Sequence, residues 1–140
     1  MGENIDFREL KIKEYKHWVL YLNEYQCYLG RVCLVAKRED ATDFIDTTSE
    51  EREEFFTIAE DVNKGLKKLF EPDLMNYAAL GNNLRHLHVH IIPRYEKERI
   101  FNGITFEDKR WGKNYAPYDR KFSLTREDLL SIRDALLSSM

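Results

Sequence analysis

The sequence predicts an α+β domain in which an antiparallel sheet carries one long helix and a C-terminal helix. Three observations point there. The elements run strand, strand, helix, strand, strand, helix, with no alternating βαβ repeat. A capped stretch after Thr48 sustains a helical period, and His86-Leu87-His88-Val89-His90 alternates as a half-buried strand does. Finally, 140 residues, 43% of them hydrophobic, can fill one core, so residues 1–140 read as a single domain.

His17-Trp18-Val19-Leu20-Tyr21-Leu22 and Gly30-Arg31-Val32-Cys33-Leu34-Val35-Ala36 are β-branched and aromatic runs, and the Asn23–Leu29 connection is short enough for a hairpin. Thr48-Ser49-Glu50-Glu51 offers a capping box. Phe55, Ile58, Ala59, Val62, Leu66, Leu69 and Phe70 follow at three- and four-residue spacing, predicting a helix over 49–70. Glu71-Pro72-Asp73 breaks it. Leu74 to Leu80 reads as a strand before a turn at Gly81-Asn82-Asn83, and the histidine strand then stops at Pro93. Over 94–122 the period dissolves around Gly103, Gly112 and Pro117, predicting an extended aromatic and charged loop with a binding or dimer-spanning role. A last helix begins at Thr125 and turns Leu129, Leu130, Ile132, Leu136 and Leu137 inward.

Charge narrows the partners. With 22 basic and 25 acidic residues the net charge is -3, so no global field favours polyanions or membranes. The 94–122 segment holds eight Lys or Arg against five Asp or Glu, too small an excess to signal RNA. Met1 to Tyr15 has no apolar run, which predicts neither a signal peptide nor an anchor and, by default, a cytoplasmic protein. Met1-Gly2 opens like a myristoylation site, but Asp6 stands where the motif needs Ser or Thr, so no lipidation is expected. Cys27 and Cys33 form neither a disulfide framework nor a zinc cage and read as reduced, largely buried thiols.

In a strand, alternate side chains share a face about 6.5–7 Å apart, so His86, His88 and His90 would form one row with Leu87, Val89 and Ile91 turned to the core. Three imidazoles can hold a catalytic zinc. Successive positions on one strand face splay their rings along a line, however, whereas zinc needs convergent bonds of about 2.0–2.1 Å. No His-x-His partner, Cys pair or Glu-x-x-His helix lies nearby, and no metal ligand is assigned. A neutral imidazole is instead a good nucleophile toward phosphorus, and a histidine row adds donors for phosphate oxygens. Asn76, Gly81, Asn82 and Asn83 supply further amide and backbone donors around it.

His86-Leu87-His88-Val89-His90-Ile91-Ile92 resembles the signature of the histidine triad (HIT) family of nucleotide hydrolases and transferases. Asn76 to Asn83 and Pro93-Arg94-Tyr95 resemble the members that hydrolyse diadenosine polyphosphates, and weaker likeness extends to Asn23–Lys37, the helix after Thr48 and Phe101–Trp111. The resemblance implies a HIT-like fold, a nucleotide substrate and a homodimer paired through the helix and a strand. It implies that His88 attacks the α-phosphorus to give a nucleotidyl-histidine, while His86 and His90 orient it and bind phosphate oxygens. Asn76 would contact ribose-phosphate, Gly81, Asn82 and Asn83 would form the phosphate-binding turn, and Leu22, Asn23 and Leu34 the ribose and base pocket. No cofactor is required; a divalent cation, Mg or Mn, would accompany a polyphosphate substrate. Trp111 and Tyr115 are candidates for the substrate's distal half or the second subunit.

Two departures stand out. Many members carry a fourth, upstream histidine where this chain has Arg31 or Val32, and a Pro-Lys-x-His tract where it has Ala36-Lys37-Arg38-Glu39. The function expected is a nucleotide hydrolase or nucleotidyltransferase. Two alternatives stay open: a nucleotide-binding regulatory module without turnover, and a metal-dependent hydrolase with the histidines as ligands.

Overall fold

The computed structural model describes residues 5–140, so Gly2 and the first four positions of the expected domain lie outside the described residues. Five antiparallel strands make the main sheet: β1 (Lys11–Glu14), β2 (Trp18–Leu22), β3 (Val32–Ala36), β4 (Leu74–Ala78) and β5 (His88–Arg94). Their spatial order is β1-β2-β3-β5-β4. Helix α1 (Ser49–Phe70) carries the chain from β3 to β4, and α2 (Arg126–Ser139) ends it.

The α+β expectation therefore holds, with one strand more in the main sheet than the sequence suggested. In β1 only Ile12 is buried among Lys11, Lys13 and Glu14, so too little alternation is present to mark a strand; its charges suit a sheet edge. α1 starts where the capping box predicts. Thr48 Oγ1 accepts the Glu51 N–H at 3.1 Å and Glu51 Oε1 accepts the Thr48 N–H at 2.8 Å. It stops at Glu71, which turns left-handed at φ 50° ahead of Pro72.

Register assigns the two faces of the sheet. Leu20, Leu34 and Val89 lie on one rung and join Trp18, Leu22, Val32, Leu87 and Ile91 in the core beneath both helices. α2 contributes Leu129, Ile132 and Leu136; Leu130 is half-buried, and Leu137 is 43% exposed, one residue and about 100° beyond the inward face.

The 94–122 segment departs from the expected loop. β5 runs through Pro93 to Arg94, because the β3 pairing ends at Val32–Ile91 and Pro93 has a single strand neighbour, Met75. A hairpin of β6 (Arg99–Phe101) and β7 (Ile104–Phe106) follows, turned by Asn102 and Gly103 at positive φ. Beyond it, residues 108–122 form a strap over the sheet face opposite the helices. Its clamp is Arg94, buried in a bidentate pair with Asp108 (2.7 and 3.1 Å) and donating to the carbonyls of Arg110 and Lys113 at 2.9 and 3.0 Å.

Candidate active site

Opposite the helices, the rung Tyr21–Cys33–His90–Ala78 runs across β2, β3, β5 and β4, with Val19–Val35–His88 beside it. On the far side of His90, Ile92 packs with Tyr28 and Ala78 under Cys27, Tyr115 and Tyr118. The strap thus covers the Ile92 end of the histidine face. At the other end, His86 precedes the strand instead of extending it: β5 begins at His88. The chain there is pinned from both sides, Leu87 N–H donating to Ala41 O (2.9 Å) and Leu87 O accepting the Ala36 N–H (3.1 Å).

Each ring of the triad has one nitrogen committed. His86 Nε2 donates to the Ala36 carbonyl at 2.6 Å, and His88 Nδ1 donates to the His86 carbonyl at 2.8 Å, since a carbonyl only accepts. A neutral His88 therefore carries its lone pair on Nε2. The His88 and His90 rings stand nearly perpendicular, 85° apart, with centroids 5.2 Å from each other. His90 Nδ1 lies 3.4 Å from Arg31 Nη2. Burial, then the Arg31 cation, then His88 hold His90 down at about 4, so it is neutral at physiological pH. Cys33, its strand neighbour, is no rival nucleophile: burial pushes its thiol up to about 12. Among the described residues no three His, Cys, Asp or Glu side chains converge as a metal-ligand set.

The other expected residues divide. Asn76 lies on the histidine face one rung beyond His90, and its Oδ1 accepts from Arg94 Nη1 at 2.9 Å, tying it to the strap clamp. Gly81, at φ 67°, Asn82 and Asn83 form the turn before His86, where among the described residues neither asparagine side chain makes a hydrogen bond. Asn23 Oδ1 accepts the Tyr25 N–H at 2.9 Å within the hairpin turn. Leu34 is a core residue turned toward the helices, and Leu22, also buried in the core, sits at the lip of the cleft that strand parity opens beside Tyr21, Cys33 and Val35 on the histidine side. Tyr21, Cys33 and Val35 line a largely apolar cleft of about 170 Å³ together with Phe7, Leu22 and Asn23, bordering the His90 and His88 rungs. Gln26 has no local sequence signal that sets it apart. Fully buried, it closes the hairpin turn through Gly30 N–H and the carbonyls of Asn23 and Arg31.

The chain belongs to the histidine triad family: the family model for the HIT domain matches residues 12–97. It is 29% identical over 96 residues to an uncharacterized HIT-like protein of Mycoplasma genitalium, covering 65% of this chain and 67% of that protein. It is also 28% identical over 90 residues to a bis(5'-adenosyl)-triphosphatase of Saccharomyces cerevisiae. That match takes in 61% of this chain but only 44% of the yeast protein's length. The fold matches the crystal structure of a histidine triad protein from Sinorhizobium meliloti 1021, with a TM-score of 0.78 at 21% identity, covering 98% of this chain and 96% of that one. No helix among the described residues is long and apolar enough to cross a membrane.

Proposed function

We propose that the chain is a nucleotide hydrolase or nucleotidyltransferase that releases a nucleoside 5'-phosphate from a dinucleoside polyphosphate or a related adenylylated substrate. The observation that carries this reading is the His88 Nδ1 bond to the His86 carbonyl, which leaves a lone pair on Nε2 and gives the growing imidazolium charge an acceptor. Nε2 attacks the α-phosphorus and forms a P–N bond. The phosphoanhydride P–O bond breaks toward the other half of the substrate, for a dinucleoside polyphosphate the second nucleoside with its remaining phosphates, which leaves as an anion and needs no proton. Water then cleaves the P–N bond, giving the mononucleotide and a proton and restoring His88. His90 binds a phosphate oxygen, and His86 holds the segment to β3. The apolar cleft along Tyr21, Cys33 and Val35 suits the base, with Asn23 at its rim for the ribose. Asn76, Gly81, Asn82 and Asn83 would approach the phosphates once substrate is bound. A Mg or Mn ion would travel with the polyphosphate.

A homodimer belongs to the proposal. β4 is a sheet edge that exposes Leu74 and Tyr77, and Asn63 of α1 donates to the Tyr77 hydroxyl at 2.8 Å, so strand and helix present one surface. A reducing, cytoplasmic setting fits the two free thiols Cys27 and Cys33. The test is incubation with diadenosine tri- and tetraphosphate, an adenylyl sulfate and an aminoacyl adenylate, reading mononucleotide release and an acid-quenched nucleotidyl adduct on the His88 peptide. Turnover of at least one substrate with the adduct supports the proposal; neither on any substrate overturns it. A binding module without turnover is favoured by one observation, that among the described residues the Asn82 and Asn83 side chains make no hydrogen bond to the histidines. Mononucleotide binding by calorimetry with no His88 adduct would establish that reading.

A further inference from the structure

Arg31 is 2% exposed and, among the described residues, has no carboxylate partner. Its guanidinium lies over the rings of Tyr118 and Tyr115, at 4.4 and 5.4 Å from their centroids. Nη2 reaches His90 Nδ1 at 3.4 Å, while Nε and Nη1 are buried without partners. An unpaired cation out of water costs several kcal/mol, and stacking on two tyrosines offsets only part of that. The surroundings are nonetheless built around it. Gln26 donates to the Arg31 carbonyl and accepts the Gly30 N–H, and the Tyr28 hydroxyl donates to the Tyr115 carbonyl beneath the strap.

The chemistry of the pair follows from donor inventory. A guanidinium only donates and keeps its charge, so the His90 nitrogen it meets must accept, and the ring proton then sits on Nε2. The groups around His90 are His88 on its own strand, Cys33 on β3 and Arg31 just before it, and the two strap tyrosines over the guanidinium; β4 offers Ala78. None of these groups is a carboxylate that would favour a second proton.

We propose that Arg31 is a positioning residue for His90: by donating to Nδ1 it fixes the neutral Nε2–H tautomer, making His90 a hydrogen-bond donor to the substrate phosphate and not a base. His88 and His90 then carry opposite tautomers, one set by the His86 carbonyl and the other by Arg31, so nucleophile and donor are assigned before substrate arrives. When Nε2–H donates to a phosphate oxygen, Nδ1 becomes more basic, the long contact to Arg31 strengthens, and the buried cation gains a counter-charge across the imidazole. This role rests on the nucleotidyl-transfer reading above; the tautomer itself does not.

The test is long-range proton–nitrogen NMR of His90 in the substrate-free protein across pH 4–8. Wild type should show the Nε2–H tautomer throughout the neutral range. Arg31→Met should admit Nδ1–H and raise the titration midpoint by about one unit or more. Arg31→Lys, which keeps a donor and a charge, should retain most of the wild-type behaviour and covers the case in which Arg31→Met fails to fold. Tyr118→Phe should titrate as wild type and Tyr118→Leu should move toward Arg31→Met. In turnover, Arg31→Met should lower kcat about 10- to 100-fold and shift the acid limb to higher pH, with the His88 adduct still formed. A wild-type His90 protonated on Nδ1, or one whose titration is the same in Arg31→Met, overturns the proposal. A wild-type protein with the expected tautomer but no turnover overturns the proposed function and, with it, the phosphate-donor role of His90, while Arg31 control of the tautomer stands.

Discussion

His88 donates its Nδ1 proton to the main-chain carbonyl of His86, two residues back, at 2.8 Å. Because the acceptor is backbone, no substitution of the His86 side chain removes it. His88→Ala should therefore cut mononucleotide release by about 10⁴-fold or more, the loss of a nucleophile. His86→Ala keeps the carbonyl and loses only the tether from Nε2 to Ala36 O, so kcat should fall by about 10- to 100-fold. Steady-state kinetics on whichever substrate turns over checks both, and equal losses would contradict the division of roles.

The depressed His90 makes stability depend on pH. Its folded value of about 4 lies below the ordinary 6.5, so between them the unfolded chain binds more protons and unfolding becomes harder as pH rises. The contribution is complete above pH 6.5 and is lost as pH falls toward 4. Since the ring is only partly buried, about 1–3 kcal/mol is the expected size. Urea unfolding at half-unit steps from pH 4 to 7.5 should show this slope, and His90→Gln should flatten it.

What could be read from sequence was local. The capping box at Thr48 and Glu51, the α1 period and the β2–β3 hairpin depend on residues near one another in the chain, and the histidine alternation carries its own face assignment. Leu34 was expected in the pocket because nothing local says which parity of β3 lies beside the histidines; only the Cys33–His90 register decides it, while Leu22 does reach the cleft. Arg31 stands in sequence only as a departure from the upstream family histidine, and its environment comes from tyrosines more than 80 residues away. β1 was illegible because a single buried residue marks it, and the strap because an ion pair outside any local pattern holds it.

That ion pair, Arg94 with Asp108, is almost wholly buried, with side chains 3% and 0% exposed. Asp108→Asn would leave the guanidinium without its counter-charge in a low-dielectric site, at a cost of about 3–5 kcal/mol. Arg94 also holds the Arg110 and Lys113 carbonyls and Asn76, so the variant should loosen the strap before the sheet. Urea unfolding should register the destabilisation, and limited proteolysis should cut first within 109–122. Arg94→Met/Asp108→Leu should be less destabilised than either single variant, because no buried charge is left alone.

Gly30 and Gly65 both face close neighbours, yet their replacement by alanine should differ. At Gly30, φ is +92° and an added Cβ would lie 2.5 Å from Leu66 Cδ2, so backbone strain and overpacking act together, at about 2–5 kcal/mol. The same change disturbs the Gly30 N–H bond to Gln26 and hence the turn that presents Arg31. Gly65 lies within α1, where its Cβ would meet Leu136 Cδ1 at 3.0 Å, and alanine's better helix propensity returns about 1 kcal/mol. Gly65→Ala should therefore stay within about 1 kcal/mol of wild type by urea unfolding. A double-mutant cycle separates the two terms at Gly30: pairing Gly30→Ala with Leu66→Ala relieves the clash but not the left-handed φ. The coupling should recover only the overpacking part, about 1–3 kcal/mol. Full additivity would mean that Leu66 already moves aside, leaving backbone conformation as the whole reason for glycine there.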